Sequence, residues 1–528
     1  MKSLKFDKLV TLGLVFGVII SFWIFSRFTV DDAFISWRYG KNLVDFGIWN
    51  YSPNILDMTQ AYTNPIYALL SIIPNYFKID VVLFFKIISL LNLFLFMGYM
   101  IKKTNKYKTV LLFFILPATM IHLFSGLETF LFISLLVVLF INLYEDNFKL
   151  SILTTMLLFV TRPETWLFFA LTPFYFLIKD IEINFSNKKI FVQKFFQKDN
   201  INFKSFFISL SLLGFILGVY LLFHKYHFGY ALPNTYYIKS GSYFNIINFV
   251  WFLIVSLPLL VMFIARQYKL FLVFSLFFLA LIYSYSTSGL EMNYAERFSF
   301  HIFAPLFFIL IYLSTKVKEP IYYISKTNKF ETFFILKPNL FFNIIAIAFL
   351  TLFFLKSTNI KTIKIVDYYP RAIDSHAELG KKLNEIKTNY GVNSFSFGDA
   401  GMTAYHSELL ALDNIGLGSS MVAQSKGVDE KILNQYNPEI LVFHSKPHHE
   451  IRLKDYNQKN ILEWGLSKDY KYICEVYYKM SYTLTIYSKN NYKELQKVCK
   501  SSKKYNDISS KEYILDMITT SPFSYWHE

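Results

Sequence analysis

The sequence predicts a polytopic α-helical membrane protein of about eleven spans, followed by a soluble α/β domain at the C-terminal end. Two observations predict this fold class. The 528 residues are 54% hydrophobic and 20% aromatic, and the apolar residues form continuous runs, which is typical of membrane helices and not of the alternating strands of a barrel. Residues 358–528, in contrast, are polar enough to form a separate water-soluble domain.

The apolar runs divide the chain into a transmembrane domain, 1–357, and the soluble domain, 358–528. A shorter apolar stretch, 64–77, has only 14 residues, and we expect it to lie at the membrane interface within the first outer loop, 29–79. The predicted spans are approximately 9–28, 80–101, 108–123, 127–144, 149–160, 163–178, 205–223, 247–264, 268–286, 299–315 and 339–356.

The distribution of basic residues predicts the orientation. With the N-terminus inside, the cytoplasmic loops hold 21 Lys and Arg residues, and the outer loops before the soluble domain hold 7. Basic residues favour the cytoplasmic side of a membrane, and an odd number of spans then puts the soluble domain outside. Much of the net charge of +16 is therefore a signal of topology, so we predict no nucleic-acid partner.

The soluble domain has a helical stretch, 375–386, followed by short strand-like runs, which favours a small α/β domain. The runs are 394–397, 409–413, 439–443, 472–478 and 483–487. The two cysteines of the chain, Cys474 and Cys499, either form a disulfide or remain thiols, because spacing alone does not decide. Asp399 is interpreted as a turn residue, and His444 is not interpreted as a metal ligand.

Polar islands interrupt the apolar pattern at the ends of the predicted spans. They are 31–43, 125–129, 161–164, 230–239 and 291–298. All five fall on the predicted outer side, so we expect them to converge on one cavity. Charged groups at membrane depth are costly, and they are usually functional or paired.

The acidic pair Asp31 and Asp32 follows the first span directly. Two adjacent carboxylates repel each other, which raises the pKa of one of them and makes it a usable base near neutral pH. The alternative is a helix N-cap for the stretch 33–43. We favour Asp31 as the base, because it leaves the span first, and Asp32 as the cap.

Other charged residues of the islands have a structural and a functional interpretation. The span before Arg162 and Glu164 is short, so we expect both in a recess, where an ion pair and a role in the site are compatible. Arg297 either binds the phosphate of the lipid donor through its planar guanidinium, or it pairs with Glu296 or Glu291 or contacts a lipid headgroup. Lys239 is either a second phosphate ligand or a lysine that extends to the interface.

Glu128, at the start of a span, is either a first-turn acid favoured by the helix dipole or part of the cavity. The predicted phosphate ligands are Arg297, Lys239 and Arg162. The predicted supporting residues of the cavity are Arg38, Glu128, Glu164, Asn234 and Glu296. Two carboxylates can also hold a divalent cation, so the metal requirement stays open.

Several segments together resemble bacterial GT-C glycosyltransferases: DDAFI with the following RYG and NL, then GLET, TRPE, LPNTYYIK and ERF. They are similar to the terminal arabinofuranosyltransferases of cell-wall arabinan over about residues 30–300, with a weaker similarity in GDAG and LDNIGL. The resemblance implies a membrane-embedded inverting transferase with a polyprenyl-phosphate sugar as donor and an outward-facing site. It also implies an acidic base in the first outer loop, a role that falls on Asp31 or Asp32.

We therefore expect a glycosyltransferase of the bacterial inner membrane that moves one sugar to an extracytoplasmic glycan, lipid or protein acceptor, in contact with membrane lipids. A polytopic transporter or binding scaffold for lipid-linked glycans is the alternative, although the chain shows no internal repeat. A glycan polymerase or ligase is a third class. The sequence names neither the sugar nor the acceptor.

Overall fold

A computed structural model describes most of the chain. The described residues are 2–177, 183–184, 191–192, 203–239, 244–289, 293–317, 338–446, 448–455, 457–477, 483–502 and 518–526.

Helices form most of the described part before residue 358. They are α1 (Lys2–Phe25), α2 (Asp32–Phe46), α3 (Pro65–Leu70), α4 (Ile72–Phe77), α5 (Val81–Thr104), α6 (Tyr107–Phe114), α7 (Pro117–Phe124), α8 (Thr129–Tyr144), α9 (Phe148–Thr161), α10 (Phe168–Leu177), α11 (Phe203–Phe228), α12 (Asn234–Lys239), α13 (Ile246–Ser256), α14 (Leu259–Ile264), α15 (Tyr268–Ser286), α16 (Arg297–Lys316) and α17 (Pro338–Ser357). Two 3-10 turns, Pro163–Leu167 and Tyr294–Glu296, precede α10 and α16. Two short strands, β1 (Ile183–Asn184) and β2 (Phe191–Val192), pair antiparallel.

Seven helical segments of the described residues are long and apolar enough to cross a membrane. They are Phe6–Phe25, Val81–Thr104, Phe206–Phe228, Ile246–Ile264, Tyr268–Ser286, Tyr294–Lys316 and Asn339–Ser357. An eighth is added if α6 and α7, which meet at a bend of 73°, count as one broken span. Pro117 begins α7. Proline has no backbone N–H, so it cannot donate the hydrogen bond that would continue α6. The chain is therefore compatible with a multi-pass membrane protein.

The predicted count of eleven spans is not confirmed, because three of the predicted spans are short helices. Helix α8 has 16 residues and α9 has 14, and the run 163–178 divides into a 3-10 turn and α10, which has 10 residues. At ~1.5 Å per residue, even α8 rises only about 24 Å, less than the ~30 Å of the hydrocarbon core. The stretch 64–77 forms two short helices, α3 and α4, which meet at Ser71.

Residues 358–528, called the tail below, fold around a mixed sheet. The described elements are α18 (Ile360–Tyr390), β3 (Ser394–Phe397), α19 (Met402–Ser407), β4 (Leu410–Asp413), α20 (Ser420–Ser425), α21 (Glu430–Tyr436), β5 (Ile440–Lys446), β6 (Glu450–Ile451), α22 (Gln458–Ser467), β7 (Lys471–Tyr477), β8 (Thr483–Ser488), α23 (Lys493–Ser502) and a 3-10 turn, Pro522–Tyr525. All five predicted strand-like runs are strands, and their ends differ from the prediction by at most three residues.

The strand order in this sheet is β4-β3-β5-β8-β7, with β6 paired to β5. Strand β3 runs parallel to both β4 and β5, and β8 runs antiparallel to both β5 and β7. Cys474 of β7 and Cys499 of α23 form a disulfide, which decides between the two alternatives that the sequence left open.

The tail shares hydrophobic cores with the N-terminal part. Ile35 and Tyr39 of α2 pack in one buried cluster with Leu379 of α18 and Phe395 of β3. Met402 of α19 belongs to the buried cluster of the helical bundle. The tail and the first outer loop therefore lie at the same end of the bundle.

Candidate functional site

A connected set of polar side chains lies at the end of the bundle that faces the tail. At its centre is Glu128, which is only 1% exposed. Its Oε2 accepts a hydrogen bond from Asn64 Nδ2 at 2.6 Å, and its Oε1 lies 3.1 Å from Arg162 Nη1. Ser36 of α2 donates to Asn64 Oδ1. Three of the polar islands and the start of α3 thus meet at one carboxylate.

Glu128 lies just before the first residue of α8, and its side chain makes no capping hydrogen bond there. A carboxylate at this position is favoured by the helix dipole, as the sequence suggests. The contacts with Asn64 and Arg162, however, fix its direction. Glu128 is thus a part of the polar set and not only a first-turn acid.

Arg162 is an ion-paired residue in this set. It pairs with Glu164 through Nε, at 2.7 Å, and through Nη2. Its Nη1 also lies 3.4 Å from His301 Nε2, and His301 Nδ1 lies 2.7 Å from the Tyr285 hydroxyl. Glu128 and Glu164 both compensate the charge of Arg162. We therefore expect Arg162 to attract a phosphate less strongly than the sequence suggests.

Arg297 stands at the first position of α16 and is weakly paired. Its Nη2 lies 4.0 Å from Glu128 Oε1, and its guanidinium lies beside the rings of Tyr294 and Phe298, at 5.9 and 5.8 Å from their centroids. Its Nε is buried and has no hydrogen-bond partner among the described residues. The predicted alternative partner Glu296 instead accepts from Ser299 Oγ at 3.2 Å, and Glu291 lies outside the described residues.

The backbone before Arg297 has an uncommon conformation. Ala295 and Glu296 have φ values of +47° and +57°, in the left-handed region that residues with a side chain rarely adopt. The Ala295 carbonyl lies 3.1 Å from His122 Nε2 of α7. Such backbone strain, about 1–3 kcal/mol per residue, persists where surrounding contacts hold it and is frequent at functional sites.

Asp31 does not cap the helix that follows it. It occupies the N-cap position of α2 without a side-chain capping bond, and its carboxylate accepts hydrogen bonds from the backbone N–H groups of Gly401 and Met402 in the tail, at 3.0 and 2.7 Å. A side chain at position 401 would collide with Asp31. Burial raises the pKa of Asp31 to about 6. Both carboxylate oxygens therefore hold the tail, whereas the choice between Asp31 and Asp32 as the base stays a prediction.

Asp32 is the first residue of α2 and is partly exposed. It is therefore inside the helix and not its N-cap, contrary to the expectation from the sequence. It lies within electrostatic range of Tyr294, and so do Glu128 and Arg297. Asp32 therefore acts electrostatically on the same tyrosine as Glu128 and Arg297.

Two of the predicted supporting residues hold the tail instead of lining this set. Arg38 is fully buried; its Nη2 donates to the Leu409 carbonyl at 2.6 Å, and its guanidinium lies 4.6 Å from the centroid of the Tyr51 ring. Asn234 Nδ2 donates to the Gly416 carbonyl at 3.1 Å. Lys239 ends α12, and the contacts of its side chain lie outside the described residues.

Sequence reasoning missed Asp57, a buried carboxylate of the first outer loop. It accepts hydrogen bonds from Ser419 Oγ at 2.7 Å, from the Ser420 backbone at 3.2 Å, and from the Tyr436 hydroxyl. Neither apolar periodicity nor a known motif marks Asp57. Asn64, Tyr294 and His301 were missed as well, although a histidine inside an apolar run is itself a signal of function or pairing.

We expect Asp57→Asn to loosen the tail from the first outer loop. The amide would place an NH₂ group among donors from the tail, and a lost hydrogen bond to a charged group costs about 2–3 kcal/mol. Limited proteolysis of the purified protein should then cleave the tail faster. Asp45→Asn is the matched control, because Asp45 is a half-exposed acid of α2 whose ion-pair partner among the described residues is Lys41 of its own helix, and the substitution leaves the Lys41 contact with Glu408 of the tail in place. Equal cleavage of Asp57→Asn and the control would contradict this role.

The described residues contain no group of three or more His, Cys, Asp or Glu side chains that could hold a metal ion.

In comparisons with known proteins, no family model, no curated protein and no solved structure matches this chain.

Proposed function

We propose that the protein is an inverting glycosyltransferase of the GT-C type that moves a single sugar from a polyprenyl phosphate to an extracytoplasmic glycan, lipid or protein. In this proposal α8, α9 and α10 complete eleven passes through a bacterial cytoplasmic membrane. The ordered segments from DDAFI to ERF support the assignment. So does the multi-pass character of the helices.

One observation carries the proposal. A partly exposed carboxylate, Asp32, and an arginine whose buried Nε has no partner among the described residues, Arg297, both lie within electrostatic range of Tyr294 at the end of the bundle next to the tail. A glycosyl transfer from a lipid phosphate requires these two groups: a base for the acceptor and a cation for the leaving phosphate.

In the proposed reaction, Asp32 takes the proton of an acceptor hydroxyl. The acceptor oxygen then forms a bond with the anomeric carbon of the donor, in line with the bond from that carbon to the phosphate oxygen. That bond breaks, and its electron pair leaves with the polyprenyl phosphate, whose charge the Arg297 guanidinium binds. Phosphate is a good leaving group, so no general acid is required.

The other residues have supporting roles in this proposal. Glu128 fixes the direction of Arg297 through the 4.0 Å ion pair and is itself held by Asn64 and Arg162. Arg162 is a secondary contributor to phosphate binding, because two carboxylates already pair with it. Lys239 stays a predicted second phosphate ligand, and a divalent cation stays a predicted addition to the acidic pair.

The proposal places the tail outside the cytoplasm. The reason is the excess of basic residues in the predicted cytoplasmic loops over the predicted outer loops, 21 against 7. A reporter that is active only outside the membrane, fused after residue 528, should be active. A reporter that functions only in the cytoplasm should be inactive at the same position, and its activity there would contradict the orientation and the outward-facing site.

The function can be tested with purified protein in nanodiscs. We would supply short-chain polyprenyl-phosphate pentoses and hexoses together with envelope material from the native cell, and measure free polyprenyl phosphate. We expect release that depends on the acceptor material. Use of a diphosphate-linked glycan instead would favour a polymerase or ligase. Tight binding of lipid-linked sugars without any release would favour a carrier.

A further inference from the structure

The carboxyl ends of β3, β4 and β5 in the tail sheet lie next to Asp31, and this edge of the sheet is called the crevice below. Strand β3 comes first in the chain, β4 pairs with it on one side and β5 on the other, so the connections after β3 and β5 diverge. In open α/β sheets, ligands bind outside the carboxyl ends of the strands at such a switch point. This edge of the sheet faces the first outer loop, because Tyr51 donates to the Ala400 carbonyl at 2.7 Å and Asp31 binds Gly401.

Three titratable side chains meet in this crevice. Asp399 follows β3, and its Oδ2 lies 3.0 Å from Nε2 of His376 in α18. Its Oδ1 lies 3.2 Å from Nε2 of His444 in β5. Although burial opposes it, the two imidazoles hold the pKa of Asp399 well below its usual value, so the carboxylate is ionised. Both imidazoles are buried, whereas the Asp399 side chain is 26% exposed.

Buried polar groups nearby lack partners. Asn414, directly after β4, is 0% exposed, and neither its side-chain nitrogen nor its side-chain oxygen has a hydrogen-bond partner in the described part of the chain. Buried polar groups without partners are costly and rare in native proteins. A polar ligand at this edge would satisfy them.

We propose that this crevice, formed by His376, Asp399, Asn414 and His444, binds the acceptor as a neutral, hydroxyl-rich carbohydrate. The ionised Asp399 disfavours an anionic ligand, and its two oxygens already contact the imidazoles of His376 and His444, which leaves less of its charge for a cationic one. Sugar hydroxyls both donate and accept hydrogen bonds, so they suit a carboxylate and an amide together. This inference rests on the proposed function, since it identifies the ligand as the acceptor of that reaction.

The position of the crevice supports this assignment. Gly401, two residues after Asp399, is bound by Asp31, and Asp31 is adjacent in the chain to the proposed base Asp32. An acceptor held by Asp399 would therefore approach the anomeric carbon from the side of the tail. Arg297, which starts a helix of the bundle, would hold the leaving phosphate on the other side.

The test uses the full chain in nanodiscs without donor. Saturation-transfer NMR would measure the binding of methyl glycosides of neutral hexoses and pentoses. We expect at least one of them to bind, and Asp399→Asn and Asn414→Ala to weaken binding about tenfold or more. Asp455→Asn is the matched control, since Asp455 is an exposed acid of the tail with only a 3.9 Å contact to Arg452. Retention of the disulfide and of protease resistance would show that each variant is folded.

Two results would overturn the inference: no binding of any glycoside, or binding that both crevice variants retain at the level of the control. These results are separable from failure of the proposed function. Glycoside binding that depends on Asp399, in a protein that releases no polyprenyl phosphate, would support the crevice and contradict the transferase. Sugar transfer with an unchanged acceptor KM in Asp399→Asn and Asn414→Ala would support the transferase and contradict the crevice.

Discussion

Asp32→Asn should lower sugar transfer by ~10²–10⁴-fold, the usual effect of removing a catalytic base. The amide cannot take the proton of the acceptor, whereas Asn has nearly the same shape as Asp, so we expect the start of α2 to keep its conformation. The measurement is transfer per folded protein, with limited proteolysis of the tail as the readout of folding. Protease resistance should not change.

Asp31→Asn is the matched comparison, because the two residues are adjacent but contact different parts of the molecule. The amide replaces one of the two carboxylate oxygens that accept from Gly401 and Met402. We therefore expect faster cleavage of the tail, with turnover reduced only in proportion to the loss of docked protein. If Asp31→Asn removed turnover from a fully docked protein while Asp32→Asn kept it, the roles of the two residues would be reversed.

Arg297→Lys should lower transfer by about 10²–10³-fold, the usual cost of removing a donor that stabilises charge in the transition state. The substitution keeps the positive charge but loses the planar pair of donors that binds a phosphate. Single-turnover kinetics with a polyprenyl-phosphate sugar would separate donor binding from chemistry. Arg452→Lys, at an exposed arginine of the tail, is the control. The prediction would be contradicted if Arg297→Lys turned over as fast as the parent protein and Arg297→Ala were only less stable. Arg297 would then have a structural role, in the ion pair with Glu128.

The sequence predicts the elements of this fold better than it predicts how many of them cross the membrane. Strand runs such as 394–397 are recognisable because buried strands are short and apolar between turn residues. The runs that predicted α8 and α9 match these helices to within two residues at each end, but an apolar run of this length does not by itself reach across the ~30 Å of the hydrocarbon core. The bend before Pro117 is a local effect, whereas the division of 163–178 into a turn and a helix is not evident from composition.

Only those residues of the candidate site that lie at the ends of predicted spans could be predicted from the sequence. Glu128 precedes α8 and Arg162 follows α9, so counting the spans between them is enough to predict that both lie at the same side of the bundle. The partner of Asp31 could not be predicted, because Gly401 lies 370 residues away and no local pattern connects the two. The partners of His301 could not be predicted either, because Arg162 and Tyr285 come from other parts of the chain.

The anomeric configuration of the product tests the central claim most directly. The purified protein would be given a polyprenyl-phosphate sugar with carbon-13 at the anomeric position, together with its acceptor material, and the product would be examined by NMR. In-line attack by an acceptor that Asp32 has activated predicts one new glycosidic bond, with the anomeric configuration opposite to that of the donor. Retention of the configuration, or the absence of any transferred label, would contradict the account.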